Sequence, residues 1–302
     1  MSKFHSGYCA IIGRPNVGKS TLLNTLINFK LSAVTSKPQT TRNKILGILN
    51  GDNYQVIFID TPGLISPKYQ LQKMMQNEIK EAIISADLFL LVVEPFAPAE
   101  KEESSLIENI ISKPTILAIN KIDLIDKATL LPLIDIYQKY PFKEAHPISA
   151  LNKKGIEELK KSIVANLPLG EAFYPQDQLT ERSERFFVTE IVRETIFKHY
   201  GEEIPYCTIV EIEEFKERPA TVTGSYRASK DYIRAIIYVE RVSQRAIILG
   251  KGGQAIKRLG SIARKNIEFF LNRPVFLELR VKVKEDWRNN EFFIKEKIYR
   301  PE

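Results

Sequence analysis

Two cysteines in 302 residues, Cys9 and Cys207, fall in separate predicted strands and stand in no metal-binding spacing. They argue against a disulfide scaffold and fit a reducing compartment. Long apolar runs are missing too. The longest aliphatic or aromatic stretch, Leu88–Val93, is far below the roughly 20 residues that a membrane-spanning helix needs. No secretory core is expected at the N-terminus, because Tyr8–Ile12 runs straight into a glycine-rich turn. What is present is 44% apolar and 27% charged residues, the composition of a globular protein. A chain of this length favours two domains over one.

The net charge of +7 is unevenly spread. Residues 1–170 hold 20 Lys and Arg against 16 Asp and Glu, and residues 171–226 hold 6 against 12. Residues 227–302 hold 18 against 9. A basic excess concentrated in the last quarter points to a polyanion partner.

Apolar runs alternate with amphipathic stretches through residue 165, the pattern of an α/β fold with a mostly parallel sheet. Expected strands are 8–12, 45–49, 55–59, 88–93, 115–119 and 144–148. Expected helices are 19–29, 71–85, 101–111, 130–140 and 156–166. A tight turn at Gly51-Asp52 makes one edge strand antiparallel. Residues 169–181, with two prolines and a glycine in 167–178, read as a linker. The first domain then spans 1–168 and the second 182–302. The second is read as α+β in the order helix 183–200, strand 206–215, strand 232–242, short helix 244–249, helix 254–271 and strand 275–283. Residues 216–231 are polar and hold a turn.

The run Gly13, Arg14, Pro15, Asn16, Val17, Gly18, Lys19, Ser20 matches G-x-x-x-x-G-K-[ST] between a predicted strand and a predicted helix that continues through Thr21. Such a turn aims backbone N–H groups and the positive end of a helix dipole at one spot. Phosphate binds there, with Lys19 on the β/γ oxygens and the Ser20 hydroxyl on Mg²⁺. Asp60, Thr61, Pro62 and Gly63 follow a strand, so the Asp60 carboxylate can hold Mg²⁺ through water and the Gly63 N–H can bond the γ-phosphate. Within Pro38–Arg42 a threonine completes the metal shell; Thr40 and Thr41 both qualify, and Thr41 is favoured.

The base is named by Asn120, Lys121 and Asp123. An ionised Asp123 accepts from both N1–H and the exocyclic amine of guanine, whereas adenine would leave it unpaired. Asn120 ties this loop to the phosphate loop, and the Lys121 stem covers the base. Ser149, Ala150 and Leu151 place a backbone N–H, best that of Ala150, near guanine O6. Together these imply GTP and GDP as ligands and attack of water on the γ-phosphate. Lys19, Thr41 and Gly63 are the expected catalytic groups. One absence matters: Leu64 stands where Ras-like enzymes carry a water-orienting glutamine, so slow turnover is expected. Asn16 makes K⁺ a candidate second cation.

In the second domain Gly250, Lys251, Gly252 and Gly253 form a G-x-x-G loop between two helical patterns, inside the basic segment. Loops of this kind clamp about four nucleotides in KH modules. The element order is that of the type II KH fold. Lys257 and Arg258 supply charge, and Ile248, Ile256 and Leu259 are candidates for an apolar groove under the bases. The segment 287–299 mixes aromatic and basic residues, as an extension of the RNA surface or as a docking helix.

At this point the chain resembles the bacterial Era GTPase family, nearly end to end. The marks are Gly13–Ser20, Pro38–Arg42, Asp60–Gly63, Asn120–Asp123, Ser149–Leu151, the stretch 238–244, Gly250–Gly253, and 275–279 running on to Trp287-Arg288. Leu64 is also what that family shows. Ile65, in place of a histidine, and Ala246, in place of a glycine, depart from it. The resemblance implies a phosphate-loop GTPase domain followed by a type II KH domain. It also implies binding of the 3′ end of 16S rRNA during maturation of the small ribosomal subunit. A monomer in the cytoplasm, loosely attached to the inner face of the membrane, completes that expectation. The alternative is a membrane- or division-associated regulatory GTPase whose C-terminal domain docks protein or lipid.

Overall fold

A computed structural model describes residues 3–63, 66–96, 107–108, 110–217 and 230–299. The chain divides into two compact units, the first made of Met1–Lys68 and Gln72–Glu181 and the second of Tyr69–Leu71 and Arg182–Glu302.

In the first unit β1 (His5–Ile12) lies between β3 (Tyr54–Asp60) and β4 (Leu88–Val93), in a sheet completed by β2 (Ile45–Gly51), β5 (Thr115–Ile119) and β6 (Ala145–Pro147). The strand order is β2-β3-β1-β4-β5-β6. All pairs are parallel except β2 with β3, which close a two-residue hairpin at Gly51 and Tyr54. Every residue of β4 and β5 is buried, as expected of parallel strands covered on both faces. Four helices of this unit are α1 (Lys19–Ile27), α2 (Gln70–Ser85), α3 (Lys127–Tyr137) and α4 (Ile156–Asn166). The helix expected over 101–111 lies largely outside the described residues. Helix α3 starts three residues earlier than expected and takes Pro132 into its body; that residue is exposed, so its ring meets solvent, not core.

The register decides where chemistry can occur. Ile11 pairs with Asp60 and Ile12 with Leu91, so the carboxyl ends of β1, β3 and β4 are level. Loops at that edge converge, as ligand-binding loops of open parallel sheets do.

Residues 169–181, expected as a linker, run along the β2 edge and are hydrogen-bonded to it. The Ile48 N–H donates to the Leu179 carbonyl at 2.8 Å and the Thr180 hydroxyl to the Leu46 carbonyl at 2.7 Å. Gln55, wholly buried, accepts from the N–H groups of Phe173 (2.7 Å) and Tyr174 (2.9 Å) and donates to the Tyr174 carbonyl at 2.8 Å. The physical reason is the open edge of β2, whose unpaired backbone groups need partners.

The second unit runs α5 (Glu184–His199), β7 (Ile209–Lys216), β8 (Asp231–Val239), α6 (Val242–Leu249), α7 (Gln254–Leu271) and β9 (Val275–Val283), then α8 (Glu291–Lys297). Strand β8 is central, antiparallel to β7 and parallel to β9. One sheet face meets α5 and α7 around Val188, Val192, Ile233, Ile237, Ala263 and Ile267. Helix α8 packs beside β7 and β8: Phe293 lies edge-on to Tyr238 with centroids 5.2 Å apart. Trp287, fully buried, donates its indole N–H to the Cys207 carbonyl at 2.9 Å. The segment 287–299 is therefore docked into this unit.

Candidate functional site

The loop Gly13–Ser20 leaves β1 and opens α1. Its last glycine, Gly18, has φ near 100°, and a Cβ there would lie 2.3 Å from the Asn120 amide nitrogen. Only glycine admits both the left-handed backbone and that close approach. Across it, Asn120 donates to the Val17 carbonyl at 2.8 Å and accepts from the Ala150 N–H at 2.9 Å. One side chain thus joins the phosphate loop, the Asn120–Asp123 loop and the Ser149–Leu151 loop. The Ala150 N–H expected on guanine O6 already has this partner, so an O6 contact there is shared with Asn120. The hydroxyl of Ser149, a wholly buried residue, donates to Asp123; Asp123 itself is exposed. Lys121, held at φ 63°, pairs with Glu94. Leu151 is exposed.

Lys19 is 6% exposed and folds back on its own loop, donating to the carbonyls of Gly13 (3.0 Å) and Arg14 (2.8 Å). Burial pushes its ammonium down to about 8, with the Asp60 carboxylate opposing the shift. Burial likewise pushes the Asp60 carboxyl up, opposed by Lys19 and by hydrogen bonds from Ser20 and Ser32. Asp60 Oδ2 accepts from Ser20 Oγ at 2.8 Å and from Ser32 Oγ at 2.9 Å. Asp60 Oδ1, equally buried, has no partner among the described residues. Ser20 Oγ lies 3.0 Å from Thr41 Oγ1. Thr40 is turned elsewhere, its hydroxyl 2.8 Å from the Lys37 carbonyl and 2.6 Å from Thr35 Oγ1.

Two hydroxyls and an under-coordinated carboxylate make an all-oxygen donor set, the chemistry a hard divalent cation such as Mg²⁺ prefers. The residues fit that ion. Above them opens a cavity of about 650 Å³ lined by Pro15, Asn16, Lys19, Ser20, Thr41 and Gly63, among others. Asn16 donates to the Ser36 carbonyl at 3.0 Å. A Cβ on Gly63 would meet Pro15 Cα at 2.9 Å, so this glycine lies directly against the phosphate loop. Thr61 anchors its own loop by donating to the Ile11 carbonyl at 2.9 Å. Leu64 and Ile65 lie outside the described residues.

In the second unit Gly250–Gly253 forms the turn between α6 and α7. Gly250 has φ 70°, and a Cβ there would stand 2.6 Å from that of Ala255. Around Gly252 and Gly253 there is open space. Lys251, Lys257 and Arg258 are exposed and Ile256 is half-buried. Ile248 is not a groove residue: it is 0% exposed and sits in the core, as does Leu259 at 2%. Periodicity marks a residue as inward-facing but does not say whether that face meets core or ligand. The Tyr200 hydroxyl holds the end of α6 by donating to the Ile248 carbonyl at 3.0 Å.

Two residues of the first site escaped sequence reasoning. Glu94 lies just past the end of β4 and Asp60 at the end of β3, a positional signal that was available. Ser32 follows Leu31 in no motif and offered none.

A phosphate-loop GTPase domain joined to a KH domain is the class that this fold and these loops define. Family models agree: one described as a 50S ribosome-binding GTPase matches residues 8–121, and one described as a KH domain matches residues 203–288. GTPase Era of Geobacter sp. (strain M21) is 45% identical over 298 residues, 97% of each chain. A chloroplastic GTPase ERA-like protein of rice is 46% identical over 96% of this chain and 68% of its own length. Among solved structures, an Aquifex aeolicus Era variant bound to GDP·AlF4⁻ superposes with a TM-score of 0.91 at 38% identity, covering 99% of this chain and all of that one. Era in complex with MgGDPNP and nucleotides 1506–1542 of 16S ribosomal RNA gives 0.91 at 39% identity, with the same coverage. The chain belongs to the Era GTPase family.

Proposed function

We propose that this protein is a GTP-hydrolysing switch that binds the 3′ end of 16S rRNA and assists maturation of the small ribosomal subunit. The observation that carries the reading is the convergence of Lys19, Ser20, Thr41 and Asp60 at a cavity that Lys121, the neighbour of Asn120, also lines. GTP and GDP occupy that cavity, with Asp123 reading the guanine edge and the N–H groups of Gly13–Thr21 facing the phosphates. Ser20, Thr41 and Asp60 would hold Mg²⁺, which would supply positive charge against the charge that develops on the phosphate oxygens. Lys19 adds a second positive charge, and the Gly63 N–H serves the γ-phosphate. Hydrolysis is slow, since position 64 supplies no amide to orient water.

RNA engages the exposed Gly250–Gly253 loop, where Lys251, Lys257 and Arg258 meet the backbone and Ile256 lies against the bases. Support comes from the basic excess of residues 227–302 and from the RNA held by the related Era complex. Nucleotide state and RNA binding are coupled. The test titrates labelled RNA ending in the 3′ segment of 16S rRNA with a GTP analogue or GDP, using wild type and a Gly252→Asp, Gly253→Asp double variant. Tighter binding in the GTP form, lost in the variant, is expected. Equal affinity in both nucleotide states would remove the coupling, and binding indifferent to the variant would remove the RNA site.

Three finer points belong to the same reading. K⁺ assists hydrolysis beside Asn16 and the Ser36 carbonyl, so turnover is faster in KCl than in equimolar NaCl. The protein is a cytoplasmic monomer. It attaches weakly to the inner face of the membrane through its basic segment, and co-sedimentation with anionic vesicles that weakens with salt is the expected result. Among the described residues no helix is long and apolar enough to cross a membrane.

A further inference from the structure

Ser32 stands outside every nucleotide-binding motif, yet it is 1% exposed and touches the most consequential carboxylate of the site. Its hydroxyl donates to Asp60 Oδ2 at 2.9 Å. Its backbone is fixed from the other side by Asn24, one helical turn beyond Ser20 on α1. Asn24 Oδ1 accepts from the N–H groups of Leu31 (2.8 Å) and Ser32 (2.9 Å), and Asn24 Nδ2 donates to the Ser32 carbonyl at 2.9 Å. Three hydrogen bonds therefore clamp the start of the segment that runs on to Thr41.

The geometry points to Ser32, clamped by Asn24, as a positioning residue that orients the Asp60 carboxylate for Mg²⁺. Oδ2 takes two hydroxyl donors, which leaves the buried Oδ1 as the oxygen open to the ion or to water on it. Ser20 cannot fix that orientation alone, because its hydroxyl is also a candidate metal ligand. Ser32 lies outside the donor set and is free to act as a constant second donor. Groups of this kind, which orient a ligand without touching the metal, typically change metal affinity by about 10- to 100-fold when lost. The inference rests on the reading of Ser20, Thr41 and Asp60 as the Mg²⁺ site.

The experiment follows release of a fluorescent GDP derivative from the full chain across a titration of free Mg²⁺, from excess EDTA upward. Wild-type release slows as Mg²⁺ rises; if it does not, the metal reading itself fails. In Ser32→Ala the Mg²⁺ midpoint is expected to rise about tenfold, while release in EDTA stays at the wild-type rate. Ser32→Thr, which keeps the hydroxyl, restores the wild-type midpoint. An unchanged midpoint in Ser32→Ala, with wild type still responding to Mg²⁺, overturns the inference alone. So does equally faster release with and without Mg²⁺, since that marks a structural role. Should the alanine variant not fold, Ser32→Cys, a weaker donor of similar volume, is read by the same midpoint, with the same two outcomes.

Discussion

Asp123 carries the choice of base, because its carboxylate only accepts and the guanine edge it faces presents two donors. Replacing it with asparagine puts an amide N–H₂ against the N2 amine of guanine, two donors facing each other. Loss of two charge-assisted bonds, each worth roughly 1.5–3 kcal/mol, predicts that Asp123→Asn weakens GTP binding by about 100-fold or more. Xanthine carries an oxygen where guanine carries that amine, so XTP binding should improve in the same variant. Competition titrations with the two nucleotides read both effects. At this scale Lys19, Ser20, Asp60, Asn120 and Asp123 were legible in the sequence, because each belongs to a contiguous motif whose backbone geometry is local. Thr41 was not separable from Thr40. Adjacent residues in an irregular loop point in different directions, and only folding showed which hydroxyl meets Ser20.

At the scale of elements, the docked segment 287–299 makes a stability prediction. Trp287 is fully buried, and Ile294 on α8 is too. Trp287→Ala should cost about 3–5 kcal/mol, the usual range for emptying a large aromatic site. Trp287→Phe leaves the Cys207 carbonyl without its indole donor and should cost about 1–3 kcal/mol from that bond. Urea unfolding followed by circular dichroism, analysed as two transitions because the units need not melt together, distinguishes the two. The ambiguity between RNA surface and docking helix could not be resolved from composition, since the same aromatic and basic residues suit both. Its answer depends on β7 and β8 presenting Tyr238 and the Cys207 region to it. The strap over residues 169–181 has the same origin. Proline and glycine rightly marked an irregular path, but the partner of that path is the edge of a strand more than a hundred residues earlier.

At the scale of the whole molecule, linkage makes the coupling of two ligands reciprocal. If the GTP form binds RNA more tightly by some factor, RNA must raise the affinity for GTP over GDP by the same factor. A coupling of about 1–3 kcal/mol, or roughly 5- to 150-fold, is the usual range. Measuring the GTP-analogue and GDP dissociation constants with and without RNA checks that the two factors agree; unequal factors would mean that RNA binds at more than one place.

The order of elements, the two-domain division of labour, the phosphate loop and the G-x-x-G turn all came from the sequence by itself. They rest on short-range rules: hydrophobic period, glycine where the backbone must turn left-handed, and motifs whose atoms meet within a few residues. What the tertiary structure alone decided are matters of facing. It buried Ile248 in the core, gave the Ala150 N–H to Asn120, and laid Ser32 against Asp60. Each joins segments that approach only when the strands take their register, and a one-dimensional pattern holds no distance between them.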